Sequence, residues 1–144
     1  MAKALFTSKV KWSGKSLVAT GGTRGFEVSM DEPKGLGGSD TAMNPVEMLL
    51  TSFGGCIVIC GVSFAKLCKV DLKDISVDIE GDLDPDGFLG INPDVRMGFQ
   101  EIRFLIHIDS PSPQENIDKL KVLIKERCPV SDTLKGVKIT PKIV

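Results

Sequence analysis

The sequence is short of the residues that several common chemistries require. It has one histidine, His107, in 144 residues. Serine-type hydrolysis needs a histidine base, and no nucleophile elbow stands near His107 in the sequence. Zinc sites use closely spaced ligand pairs such as Cys-x-x-Cys. Here Cys56, Cys60 and Cys68 are followed by a gap of 59 residues before Cys128, so no metal is expected. His107 falls on the polar side of an alternating segment and reads as a solvated histidine. Net charge is nearly absent too: 18 Lys and Arg against 19 Asp and Glu leave −1, which gives no electrostatic case for nucleic acid or an anionic membrane. The Gly-rich run from Gly35 to Asp40 lacks the Gly-Lys-Ser/Thr ending of a phosphate loop and the strand-to-helix setting of a dinucleotide fingerprint, so no cofactor is expected. The first residues lack the apolar core and cleavage site of a secretory signal, which leads to the expectation of a cytoplasmic chain with reduced cysteines.

What is present suits one globular domain over residues 1–144. The length is that of an ordinary domain, and 42% hydrophobic residues can build a core. Ala4 to Trp12 and Phe26 to Met30 alternate as strands, and Ser13-Gly14-Lys15 and Gly21-Gly22 have turn chemistry between them. Residues 31–43 read as an irregular loop. Asn44, Pro45 and Glu47 then form a helix start with N-cap, first-turn proline and capping-box carboxylate. That helix is expected to run to about Lys69.

Met48 to Ala65 carries no charge and reaches the lower length limit of a membrane span. Its Ser, Thr and Gly content favours a helix buried in protein, and no membrane partner is expected. Ile75 to Ile79 and Ile102 to Ile108 alternate as further strands. Ser112, Pro113 and Glu115 repeat the capping pattern ahead of a second helix that Pro129 interrupts, and Val137 to Ile143 reads as a last strand. The order implies an α+β fold with antiparallel sheets. A helix apolar on every side needs more cover than one modest sheet, and Gly54-Gly55 permits close approach of another backbone, so a homodimer burying the two long helices is expected.

The chemistry-bearing residues are the cysteines. Cys60 and Cys68 lack a reactive flanking pattern and read as small core residues. Cys60 shares a helix face with Cys56 at i, i+4, where Cβ atoms lie roughly 6 Å apart. That is too far for a disulfide without distorting the helix, which leaves Cys60 the alternative of a backup thiol beside the site. Cys56 follows two glycines within the helix, and Cys128 stands at a helix-ending proline.

Five segments taken in order, residues 21–25, 35–38, 44–50, 54–56 and 127–131, resemble the OsmC/Ohr family of osmotically inducible and organic-hydroperoxide-resistance proteins along nearly the whole chain. The resemblance implies an intertwined homodimer whose sheets wrap central helices, with active sites at the subunit interface. It also implies a peroxidatic Cys56, a resolving Cys128, and Arg24 as the cation that stabilises the thiolate. Glu47 resembles the glutamate that holds the arginine. Thr23 stands between the paired glycines and Arg24, and Val46 between Pro45 and Glu47, offsets that point to a branch distinct from the standard hydroperoxide-resistance members.

A buried apolar helix raises a thiol pKa, so a cation near Cys56 is needed; after Arg24, Arg127 beside Cys128 is the other candidate. Glu47 precedes Cys56 by nine residues, which places the two about 180° apart and roughly 13 Å apart along one helix, so any service of Glu47 to that thiol must come from the partner subunit. The implied activity is reduction of a hydroperoxide substrate, with a dithiol or dithiol protein as reductant. The rival from another class is a redox-sensing or small-molecule-binding dimer without turnover.

Overall fold

A computed structural model describes residues 2–136. The strand expected at Val137 to Ile143 lies outside the described residues. The chain divides into two compact units, Met1–Leu49 and Leu50–Val144.

The first unit holds a three-stranded antiparallel sheet, β1 (Lys9–Trp12), β2 (Ala19–Thr23) and β3 (Phe26–Met30), in the order β1-β2-β3. Gly21 and Gly22, expected at a turn, lie inside β2, opposite Val10 and Lys9 on one side and Val28 and Glu27 on the other. The reason is steric: a Cβ on Gly21 would meet Val10 at about 2.6 Å, and one on Gly22 would run into the Phe26 carbonyl. The turn comes one step later, where Arg24 (φ 52°) and Gly25 (φ 87°) both occupy the left-handed region between the paired Thr23 and Phe26. That is the geometry of a two-residue hairpin whose twist matches its strands.

After β3 the chain turns around Asp31. Its carboxylate is buried and accepts N–H bonds from Glu32, Ser39 and Thr41 and the Thr41 hydroxyl. These donors pull the carboxyl down to about 2, outweighing the upward push of burial. One side chain thus fixes a loop that contains a 3-10 turn at Lys34–Leu36.

Helix α1 (Pro45–Ala65) starts as expected. The Asn44 side chain accepts the Glu47 N–H at 2.9 Å, and the Glu47 carboxylate accepts the Asn44 N–H at 2.8 Å, which closes the capping box. The helix is long and apolar enough to cross a membrane by length and composition, with mean hydropathy 2.0, and 33% of that window is buried. Phe53, Gly54, Ile57, Cys60, Gly61 and Ala65 form the buried stripe. At the end, Val70 N–H bonds the Ala65 carbonyl and Lys69 N–H the Lys66 carbonyl, with Lys69 left-handed at φ 56°. This is a Schellman cap with lysine where glycine is usual.

In the second unit β4 (Asp74–Asp82) pairs antiparallel with β5 (Glu101–Asp109). Between them lies a single turn of helix, α2 (Pro85–Phe88). Ile75, Val77 and Ile79 stand beside Ile108, Ile106 and Phe104 in register and pack with α1 and α3 (Gln114–Arg127) in one core. Gly54 lets Ile79 and Val77 approach α1, and Phe53 meets Phe104 edge-on at 5.4 Å. The close approach inferred at Gly54 is therefore to β4 side chains, while Gly55 faces open space.

The capping pattern expected at Ser112 is not made. Pro113 is the N-cap without a side-chain bond, and the Ser112 hydroxyl accepts the Asp71 N–H at 2.8 Å instead. Pro129 does end α3, and a short helix α4 (Pro129–Leu134) follows at once.

Candidate functional site: a thiol pair between two helices

Cys56 occupies the fourth turn of α1, near its middle, and is half-buried. Cys128 is set by its neighbour in sequence. Proline disfavours helical backbone in the residue before it, and Cys128 accordingly adopts φ −76°, ψ 109°. It is at once the C-cap of α3, donating its N–H to the Ile124 carbonyl, and the N-cap of α4, its sulfur accepting the Ser131 N–H at 3.4 Å. Held in this elbow, the Cys128 thiol points at α1 and donates to the Cys56 sulfur at 2.8 Å. Both cysteines are free, and 72 residues separate them. A disulfide is within reach of the two side chains as they stand.

The environments of the two sulfurs differ. Cys128 is 3% exposed, and burial, with the bond to Cys56, pushes its thiol up to about 11 against the opposing pull of the Ser131 N–H. It therefore stays protonated near neutral pH and offers its S–H to Cys56. Cys56 is the more accessible of the two sulfurs.

Cys60, read from the sequence as packing, is more closely tied to the pair than that. It is buried in the core that also holds Cys128, and its thiol is pushed up by burial and by the Cys56 charge. The i, i+4 spacing was its signal in the sequence. Cys68 is half-buried beyond the end of α1 and packs against the same core.

Arg24 and Glu47 belong to the first unit, and the thiol pair to the second. Arg24 lies in the β2–β3 turn with its guanidinium over the Phe26 ring, 5.3 Å from the centroid. Glu47 caps α1. His107 bonds Asp78 at 2.7 Å on the exposed side of β5, as a solvated histidine does. Among the described residues, no group of three or more His, Cys, Asp and Glu side chains is arranged to hold a metal ion.

The profile of the family described as OsmC-like protein matches residues 37–142. The chain belongs to the OsmC-like family. Solved structures share its fold. An OsmC-like protein from Mycoplasma pneumoniae is 20% identical with a TM-score of 0.78, over 94% of this chain and 91% of its own. An organic hydroperoxide resistance protein OsmC from Legionella pneumophila is 23% identical with a TM-score of 0.64, over 93% of each chain. An OsmC-like hydroperoxide resistance protein from Jannaschia sp. CCS1 is 18% identical with a TM-score of 0.54, over 92% of this chain and 86% of its own. No curated protein matches the sequence. The α+β fold with antiparallel sheets and a long helix is thus that of OsmC-like proteins.

Proposed function

We propose that this OsmC-like chain is a dithiol-dependent hydroperoxide reductase in which Cys56 is the peroxidatic and Cys128 the resolving cysteine. The observation that carries this reading is the 2.8 Å contact between the two sulfurs. The Cys56 thiolate attacks the terminal oxygen of the hydroperoxide. The O–O bond breaks, the alkoxide leaves and takes a proton to become an alcohol, and Cys56 becomes a sulfenic acid. The Cys128 sulfur then attacks Cys56, expelling hydroxide, which leaves as water with the Cys128 proton, and a disulfide forms. A small dithiol or dithiol protein reduces it by exchange. The proximity of Cys128 limits overoxidation of Cys56, because the sulfenic acid is captured before a second peroxide arrives.

Arg24 is assigned as the cation that holds the thiolate and the peroxide oxygens, since a planar guanidinium can serve both. Glu47 is assigned to orient it, contributed across a homodimer. Support for that assembly comes from apolar side chains without cover in the single chain. Trp12 and Phe26 are each 68% exposed and Ile59 67%. These surfaces need burying, and a second copy offers the same surfaces in return.

Stopped-flow mixing of the reduced protein with cumene hydroperoxide and with hydrogen peroxide tests the reading. Rapid oxidation ending in a Cys56 to Cys128 disulfide, with Cys56→Ser losing at least about 1,000-fold in rate, is the expected result. A Cys56 that reacts like a free thiol in solution overturns the peroxidase assignment and leaves a binding or sensing dimer.

A further inference from the structure

A Cys56–Cys128 disulfide offers two sulfurs to a reductant, and the fold makes them unequal. Cys128 is fixed on three sides. Its N–H bonds the Ile124 carbonyl at 3.1 Å, its carbonyl accepts the Asp132 N–H at 3.1 Å, and its sulfur accepts the Ser131 N–H at 3.4 Å. It is 3% exposed, in the core that holds the fully enclosed Leu120 and Ile124. Cys56 is half-buried and stands outside the buried stripe of α1. A thiol entering from solvent meets Cys56 first.

Thiol–disulfide exchange proceeds by attack of a thiolate on one sulfur while the other departs with the electron pair. The departing sulfur gains negative charge, so a donor already aimed at it helps the step. The Cys128 sulfur has such a donor in the Ser131 N–H. Burial resists that charge, and the same N–H opposes the resistance.

We propose that the reductant attacks Cys56 and that Cys128 is the leaving group, with the Ser131 backbone N–H as the positioning donor for the departing sulfur. The inference rests on the peroxidatic reading for the origin of the disulfide. One thiolate of a dithiol attacks the Cys56 sulfur. The Cys56–Cys128 bond breaks, a mixed disulfide forms between the reductant and Cys56, and Cys128 departs as thiolate and takes a proton from water. The second thiol of the reductant, after losing its proton to water, attacks the reductant sulfur of the mixed disulfide. A disulfide closes within the reductant and Cys56 is released as thiolate. Two electrons have passed from the dithiol to the protein. Cys128, left beside Cys56, competes by attacking the mixed disulfide at Cys56 and expelling the reductant, which turns back a monothiol more often than a dithiol. Regeneration by this route leaves the core around Cys128 closed.

The test uses the full chain oxidised in two ways, with cumene hydroperoxide and with diamide. Each oxidised form is mixed with excess 2-mercaptoethanol, quenched in acid over a time course, and mapped by mass spectrometry. The adduct should sit on Cys56 in at least about tenfold excess over Cys128. Ser131→Pro deletes the donor N–H and should open the disulfide about fivefold more slowly, the effect of one hydrogen bond, while Ser131→Ala keeps the N–H and should match the wild type. Should Ser131→Pro fail to fold, amide exchange decides the donor role: the Ser131 N–H should exchange about fivefold faster in Cys128→Ala than in the reduced wild type. An adduct shared equally or carried chiefly by Cys128 overturns the proposal, as does failure of both oxidants to form a Cys56–Cys128 disulfide. An unchanged opening rate in folded Ser131→Pro, or equal amide exchange, overturns the donor role. If diamide yields the disulfide and the Cys56 adduct while the peroxide yields neither, the peroxidase reading fails and the direction of exchange stands.

Discussion

The two sheets follow the same sequence rule and meet different fates. Both are antiparallel with apolar residues on one face and polar on the other. In β4 and β5 the apolar face is roofed by α1 and α3, so that Ile106 is 6% exposed and the facing Ile57, Leu120 and Ile124 are 1% or less. In β1 to β3 the corresponding face stays open, with Val10 54% and Trp12 68% exposed. Alternation states which side of a strand is apolar. It does not state whether the covering layer comes from the same chain.

Truncation is the sharpest way to test that contrast. Leu120→Ala in the roofed region should cost about 2–5 kcal/mol in urea unfolding, since the side chain is fully enclosed. Val10→Ala should cost less than about 0.5 kcal/mol if its face is bare. If a second copy covers it, the cost should be larger and depend on protein concentration. Val10→Asp should then halve the mass seen by light scattering. A wild-type protein that is monomeric at micromolar concentration would break the symmetry argument.

The two units should also fail at opposite ends of the pH scale. Asp31 in the first unit has its carboxyl lowered from 3.8 to about 2, so its contribution is present above about 3.8 and lost as pH falls through about 2. The amide resonances of Ser39 and Thr41 should report that loss. Cys128 in the second unit is raised from 9.0 to about 11, so its contribution is present below about 9 and lost as pH rises through about 11. The urea midpoint should fall across that alkaline window, and Cys128→Ala should flatten the fall.

A smaller effect separates two roles of Glu47. Glu47→Ala removes the acceptor of the Asn44 N–H and should cost about 0.3–1.5 kcal/mol. Glu47→Gln keeps an acceptor and most of that stability. A drop in peroxide turnover with Glu47→Gln at unchanged stability would assign the charge to the site; unchanged turnover would leave Glu47 as a cap alone.

Local devices are legible in the chain itself: the capping box at Asn44 and Glu47, the alternation of β4 and β5, the stop at Pro129. Each depends on residues within a few positions of one another, so periodicity and short-range stereochemistry suffice. Local rules fail where a distant neighbour decides. Gly21-Gly22 has the composition of a turn because glycine permits one, but the crossing backbones of β1 and β3 require bare Cα positions there. Ser112 has the spacing of a cap, and the Asp71 N–H claims its hydroxyl from 41 positions away.

The candidate site divides along the same line. The sequence by itself determined that Cys56 would ride a long apolar helix and that Cys128 would sit in non-helical backbone before a proline. Only the tertiary structure decided that the two thiols meet at 2.8 Å and that Cys60 joins their core. Helix periodicity and the proline ring act over a few bonds, whereas two sulfurs 72 residues apart are brought together by the packing of α1, α3 and the β4–β5 sheet around one core.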